Sequence, residues 1–186
     1  IKGEPVHISS IENYISDTCF DKMKLEKKPW NGGRIGVVGA GPAGITIAIL
    51  MACRGYRVTI FEVREKIGGI LRYGIPEFRL PKSILDRYDK KMKELGIRFR
   101  PNFALGGSTG VHDLLEDGYN AVFIGTGTWR PYRLNIPGET FGNVHYGINY
   151  LNNPDVYDLG DRVVVIGAGN AAMDVARTAI RKGSRY

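Results

Sequence analysis

The sequence predicts an α/β fold with a parallel sheet, on three observations. A short β-branched run at residues 35–38 enters the turn Gly39-Ala40-Gly41-Pro42-Ala43-Gly44. A helical stretch over 45–54 and a second strand over 57–62 then complete a βαβ unit of about 28 residues. The order of strand, glycine turn and helix recurs over 163–181, where the turn is Gly167-Ala168-Gly169-Asn170-Ala171-Ala172.

Between the two copies the elements follow one another with clear stops. Gly55 is placed to end the first helix, and residues 68–81 change to a long ordered loop rich in Gly, Pro and aromatic residues. Ser83 is expected to cap a helix running to Leu95, with Ile84, Tyr88, Met92 and Leu95 on one face. Gly96 stops it; a strand over 97–100, a short helix over 111–115 and a strand over 121–125 follow. Past Thr126 the chain turns irregular, with Pro131, Pro137 and Pro154. The second copy opens at Arg162 with a strand over 163–166, and a boundary falls near 158–161. The expected division is an N-terminal segment 1–33, a nucleotide-binding domain 34–135, a connector 136–160 and the start of a second such domain at 161–186.

Composition narrows the classes. The chain of 186 residues is 43% hydrophobic and 24% charged, which suits an ordinary globular protein with one sizeable core. The greasiest stretch, 45–52, is far short of the roughly 18 residues a membrane-spanning helix needs. Two cysteines, Cys19 and Cys53, exclude a disulfide scaffold and leave no zinc or iron–sulfur ligand set within the chain. A cytoplasmic location is expected. The formal charge of +7 comes largely from two clusters: Lys22, Lys24, Lys27 and Lys28, then Lys82, Arg87, Lys90, Lys91 and Lys93. Solvated helix faces account for them, and an anionic dinucleotide or acidic redox partner suits them as well as nucleic acid does. No nucleic acid and no membrane are therefore called for. His7, His112 and His145 lack ligand spacing, and no metal site, Ser-His-Asp set or paired carboxylate is evident.

Each glycine of the first turn has its own physical task. Gly39 permits the tight turn, Gly41 lets the backbone approach a pyrophosphate, and Gly44 lets the helix pack on the strand. The helix that begins at Pro42 and Ala43 then offers free N–H groups, Pro42 itself having none, and positive dipole charge to phosphates. Glu62 lies 18 residues beyond Gly44 at the end of the second strand. There its carboxylate can accept both ribose hydroxyls and would repel a 2′-phosphate, so the first site suits FAD or NAD. In the second turn Gly167, Gly169, Asn170, Ala171 and Ala172 have the same mechanics, with NAD against NADP left open. Two such turns in one chain fit a flavin and a nicotinamide exchanging hydride. A non-catalytic dinucleotide-binding module that senses or regulates is the alternative.

Residues 68–71 after Glu62, then Tyr73-Gly74-Ile75-Pro76-Glu77-Phe78-Arg79-Leu80-Pro81-Lys82, resemble the small subunit of NADPH-dependent glutamate synthase and its relatives. Among those relatives are the flavin domain of dihydropyrimidine dehydrogenase and the large subunit of NADH-dependent ferredoxin:NADP oxidoreductase. Residues 122–127, Ile136-Pro137-Gly138-Glu139 and 163–177, with Met173-Asp174, carry the same likeness. Gly125 departs from the alanine usual there.

The resemblance implies a Rossmann-type FAD-binding domain of the two-dinucleotide, glutathione-reductase-like flavoprotein fold. It implies FAD on Gly39, Gly41, Gly44 and Glu62, with Gly69 and Leu71 beside the pyrophosphate and ribityl chain. Ile75 and Pro76 would lie near the flavin ring, and Gly125, Thr126 and Gly127 would close over the phosphates. Arg79 and Lys82 are open between attracting an anionic partner and being loop charges. NAD(P)H would reduce FAD, and electrons would pass to iron–sulfur clusters and an acceptor subunit or ferredoxin-like protein. Glu4-Pro5-Val6-His7-Ile8 and residues 11–15 resemble the segment after a module carrying two [4Fe–4S] clusters, whose cysteines would precede Ile1. The resemblance also makes the chain a fragment, weak in holding FAD, inactive by itself and prone to pair as a homodimer through exposed sheet edges. No residue is assigned a catalytic acid–base role.

Overall fold

Parallel strands cannot be joined by tight turns, so each connection must carry the chain back across the sheet. The computed structural model describes residues 5–185; Glu4 of the N-terminal likeness lies outside them. α1 (Ile8–Cys19) comes first and buries none of its residues. A 3-10 turn (Phe20–Lys22) follows, then β1 (Arg34–Val38), α2 (Pro42–Cys53), β2 (Arg57–Phe61), α3 (Ile70–Tyr73) and α4 (Lys82–Glu94). β3 (Arg98–Arg100), α5 (Val111–Glu116), β4 (Ala121–Ile124), α6 (Gly147–Asn152), a second 3-10 turn (Pro154–Val156) and α7 (Asn170–Arg181) complete the described chain. The strands form one parallel sheet in the order β3-β2-β1-β4. Ile35 pairs with Val58 on one side and Ala121 on the other.

Side chains alternate across a strand, so both sheet faces need cover. Ile35, Val37, Val58 and Ile60 pack with Ile45, Ala48 and Ala52 of α2 and with Met92, Leu95 and Ile97. Val38 and Phe61 point the other way, against Leu114 and Tyr119. The helix ends obey their residues: Tyr56 N–H bonds Met51 C=O and Gly55 N–H bonds Ala52 C=O, with Gly55 at φ +91°. Such a terminus needs a left-handed residue, which only glycine adopts at little cost. Phe20 anchors the N-terminal segment by packing edge-on to Tyr88 of α4, ring centroids 4.8 Å apart.

Three expectations need correction. Ser83 does not cap α4. Pro81 holds that position with ψ 129°, and the Glu77 carboxylate accepts the Lys82 N–H at 3.1 Å instead. The 68–81 segment is not all loop, because α3 forms one helical turn inside it. Residues 163–166 are not a strand: Val164 is 89% and Ile166 74% exposed, and no strand pairs with them among the described residues. A helix makes its bonds locally, whereas a strand exists only by pairing. The 163–166 run has the composition of a strand without the neighbour.

Ion pairs explain much of the second basic cluster. Lys93 reaches Asp89 at 2.6 Å, Lys91 reaches Glu94 at 3.6 Å and Arg87 reaches Asp21 at 3.6 Å. Lys27 of the first cluster donates to Leu95 C=O at 2.8 Å. Among the described residues no helix is long and apolar enough to cross a membrane.

Candidate functional site

In an open parallel sheet the chain returns in opposite senses on either side of one point, and a crevice opens there at the carboxyl ends of the strands. Here that point lies between β1 and β4, because α2 carries the chain from β1 to β2 while α5 carries it from β3 back to β4. The turn 39–44 leaves β1 and residues 125–127 leave β4, so both border the crevice.

The three glycines of the first turn are separable by what a methyl group would meet. On Gly39, at φ +99°, it would lie 2.4 Å from the Gly125 carbonyl oxygen. On Gly44 it would lie 1.9 Å from the Gly39 carbonyl oxygen. On Gly41, whose φ of −76° any residue can adopt, it would meet only Gly69 Cα at 4.0 Å. Protein packing therefore explains Gly39 and Gly44 but leaves room at Gly41. Gly69 in turn sits at φ +51° with its own missing methyl 2.8 Å from Gly41 Cα. The Gly68 N–H donates to Ala40 C=O at 2.8 Å, so the 68–71 segment is tied to the turn. Pro42 and Ala43 are exposed at the start of α2, which carries no side-chain cap and no acidic residue in its first turn. A helix start without a cap leaves orphan N–H groups beside the uncrowded Gly41, an arrangement suited to an anion.

Glu62 is 7% exposed. Its Oε2 accepts the Ala40 N–H at 2.6 Å and its Oε1 accepts the Arg64 N–H at 2.8 Å. Each carboxylate oxygen has a second lone pair, so the side chain is oriented without being saturated. Arg64 was not apparent as a participant; its position two residues after the acidic strand end is the signal for it. Its guanidinium lies 4.9 Å from the Tyr73 ring and 5.2 Å from the Trp129 ring, joining its own loop to α3 and to the chain after β4. Leu71, Ile75 and Pro76 are half-buried along the same rim, while Thr126 and Gly127 are exposed.

Lys82 turns its charge inward onto the backbone. Its ammonium donates to Leu71 C=O at 2.8 Å and to Ile75 C=O, clamping the ends of the 71–75 segment. Burial pushes its pKa down, Glu77 opposes that, and Arg72 adds to it. Arg79 is likewise engaged, with Nη1 on Asp174 Oδ2 at 2.8 Å. Neither residue is left as a free loop charge.

The second turn repeats the first turn's backbone. Gly167 has φ +125° and Gly169 has φ −77°, ψ 176°, against φ −76°, ψ −176° at Gly41. α7 also starts with no side-chain cap and no acidic residue in its first turn. Asn170, Ala171 and Ala172 open the helix, and a methyl on Gly169 would meet nothing within 4 Å. The described residues bring Gly39–Gly44, Glu62, Gly69 and Gly125 into one crevice, with the second turn on a separate element. They contain no cluster of three or more metal-ligating side chains.

The chain is 36% identical to the glutamate synthase [NADPH] small chain of Halomonas elongata over 195 aligned residues, covering 96% of this chain and 41% of that protein. It is 39% identical to the NADP(+)-dependent formate dehydrogenase subunit beta of Moorella thermoacetica, covering 83% of this chain and 23% of that one. Mycobacterium tuberculosis FprA in complex with NADPH superposes with a TM-score of 0.67 and 29% identity, over 81% of this chain and 36% of FprA. The chain thus spans about two fifths of the length of its glutamate synthase relative. Residues 37–186 match the family described as pyridine nucleotide-disulphide oxidoreductase, and the chain belongs to that family.

Proposed function

We propose that this chain forms the FAD-holding part of an oxidoreductase that takes electrons from NAD(P)H, and that Gly167–Ala172 begins its nicotinamide site. The observation that carries the proposal is the room at Gly41. It adjoins a capless helix start and an oriented, unsaturated Glu62, and no packing of the protein accounts for it. Gly41, Pro42, Ala43 and Gly44 would receive the pyrophosphate, Glu62 the ribose hydroxyls, and Gly69 and Leu71 the ribityl side. Thr126 and Gly127 would cover the phosphates, and Ile75 and Pro76 would border the ring. When bound, FAD supplies acceptance of a hydride and its release as single electrons. The chain's own contribution is orientation and exclusion of water, with no side chain assigned to acid–base work.

The names of the relatives support a partner: one is a small chain and one a subunit beta. We accordingly place an electron-accepting subunit or iron–sulfur protein downstream, with the clusters outside this chain, in the cytoplasm. The test uses the protein that carries this chain. Purified, it should hold one flavin, and NADPH or NADH should bleach the flavin colour in the absence of air. Failure to bind FAD, or flavin that neither nucleotide reduces, would overturn the proposal.

A further inference from the structure

α7 carries the second glycine turn at its start, yet no sheet anchors it among the described residues. A stripe of three side chains on α7 meets the flavin-side loop instead. Asp174 is 4% exposed and takes the Arg79 guanidinium at 2.8 Å. Arg177 and Arg181 lie over the Phe78 ring at 4.6 and 3.9 Å. Spacings of three and four residues bring all three onto one face of the helix. The loop they meet is itself a closed turn, since the N–H groups of Arg79 and Leu80 both bond Pro76 C=O. Pro76 directly follows Ile75, whose C=O Lys82 holds, so a continuous set of contacts links the rim of the first site to the start of α7.

The Arg79–Asp174 pair is poorly replaceable. The other carboxylate oxygen of Asp174, Oδ1, is buried without a hydrogen-bond partner among the described residues. A buried carboxylate held by one guanidinium depends on it, because losing the cation strands the charge. We infer that Arg79 and Asp174 are a positioning pair that couples the flavin-side loop to the second dinucleotide turn and so sets how the two cofactors meet. The two residues lie outside both glycine turns; they act through Pro76 on one side and through α7 on the other. The coupling stands on the contacts above, while its consequence for the cofactors rests on the function proposed above.

Hydrogen exchange separates the two. In the protein that carries this chain, stripped of cofactor, Arg79→Gln should speed amide exchange at least tenfold in both 76–81 and 170–175. Asp174→Asn should do the same, and the double variant should exchange no faster than either single one. Arg79→Lys, which keeps the charge, should restore much of the protection. Acceleration confined to the mutated segment, or additive effects in the double variant, would overturn the coupling. In the flavin-loaded protein that carries this chain, Arg79→Gln should leave FAD content unchanged and slow flavin reduction by NADPH at least tenfold. An unchanged rate would overturn the positioning role. A wild-type protein without flavin would overturn the proposed function instead, and the exchange result would still decide the coupling.

Discussion

The Glu62 carboxylate holds the Ala40 N–H at 2.6 Å, joining the end of β2 to the middle of the turn that leaves β1. That bond crosses from one strand end to its neighbour at the mouth of the crevice. It fixes the carboxylate that the ribose would meet and the backbone that the pyrophosphate would meet in a single step.

Glu62→Gln should therefore weaken both the fold and the site. A carboxamide has one acceptor oxygen where the carboxylate has two, so either Ala40 or Arg64 loses its acceptor. The loss should be about 1–3 kcal/mol in urea unfolding without cofactor, with weaker FAD binding by titration in addition. Unchanged unfolding would mean that neither N–H depends on Glu62.

Gly41 and Gly44 should respond oppositely to the same methyl group. Gly41→Ala has space in the protein, and its unfolding free energy should stay within about 0.5 kcal/mol of wild type while FAD binding falls. Gly44→Ala drives a methyl into the Gly39 carbonyl and should cost about 3 kcal/mol. Parallel melting curves and flavin titrations of the two variants read the contrast directly.

Lys82→Met removes the two donors that clamp 71–75. Proteolytic cleavage within that segment should accelerate, and stability should fall by about 1–3 kcal/mol at neutral pH. Because burial lowers the Lys82 pKa on folding, the unfolded chain holds this proton the more tightly. Wild-type stability relative to the variant should consequently rise with pH through the window just below the ordinary lysine value. Urea unfolding of both proteins across that window measures the slope.

Glu139 gives the opposite pH signature. Its carboxylate accepts the Leu134 N–H at 2.9 Å and the Asn135 N–H at 2.8 Å, and Asn135 is held at φ +57°. The Leu134 bond is the main reason its pKa lies low; burial opposes it, while Asn135, Tyr146 and Arg133 assist. The folded value lies below the unfolded one, so the stabilisation is complete above the unfolded value and disappears as pH falls through the folded one. Glu139→Gln should be less stable than wild type at neutral pH and equal to it in strong acid, as thermal melts at several pH values would show.

Local chemistry was legible in the sequence, and distant pairing was not. The packing demands on Gly39 and Gly44 follow from spacing, because the strand, the tight turn and the helix they join are consecutive in the chain. Glu62 was legible as a strand-end acid, but its bonds to Ala40 and Arg64 appear only once β1 and β2 lie side by side. Arg79 and Lys82 stay open in the sequence between an anionic partner and loop charges, since their partners are hidden from a local view: Asp174 is 95 positions from Arg79, and carbonyl oxygens carry no sequence signature. The 163–166 run was misjudged for the complementary reason. Its composition suits a strand, and composition does not supply a neighbour.

The agreement between the backbones of the two turns has a consequence for how such a protein is synthesised. Gly41 has β1, β2 and β4 around it, whereas Gly169 has no paired strand beside it among the described residues, yet their dihedral angles agree within about ten degrees. At this middle glycine, the backbone shape is thus compatible with either setting. On a ribosome, each turn can assume its form as its few residues emerge, ahead of the strands that will later flank it. The slow step in assembly is then the recruitment of strands to a receptor for phosphate that already has its shape.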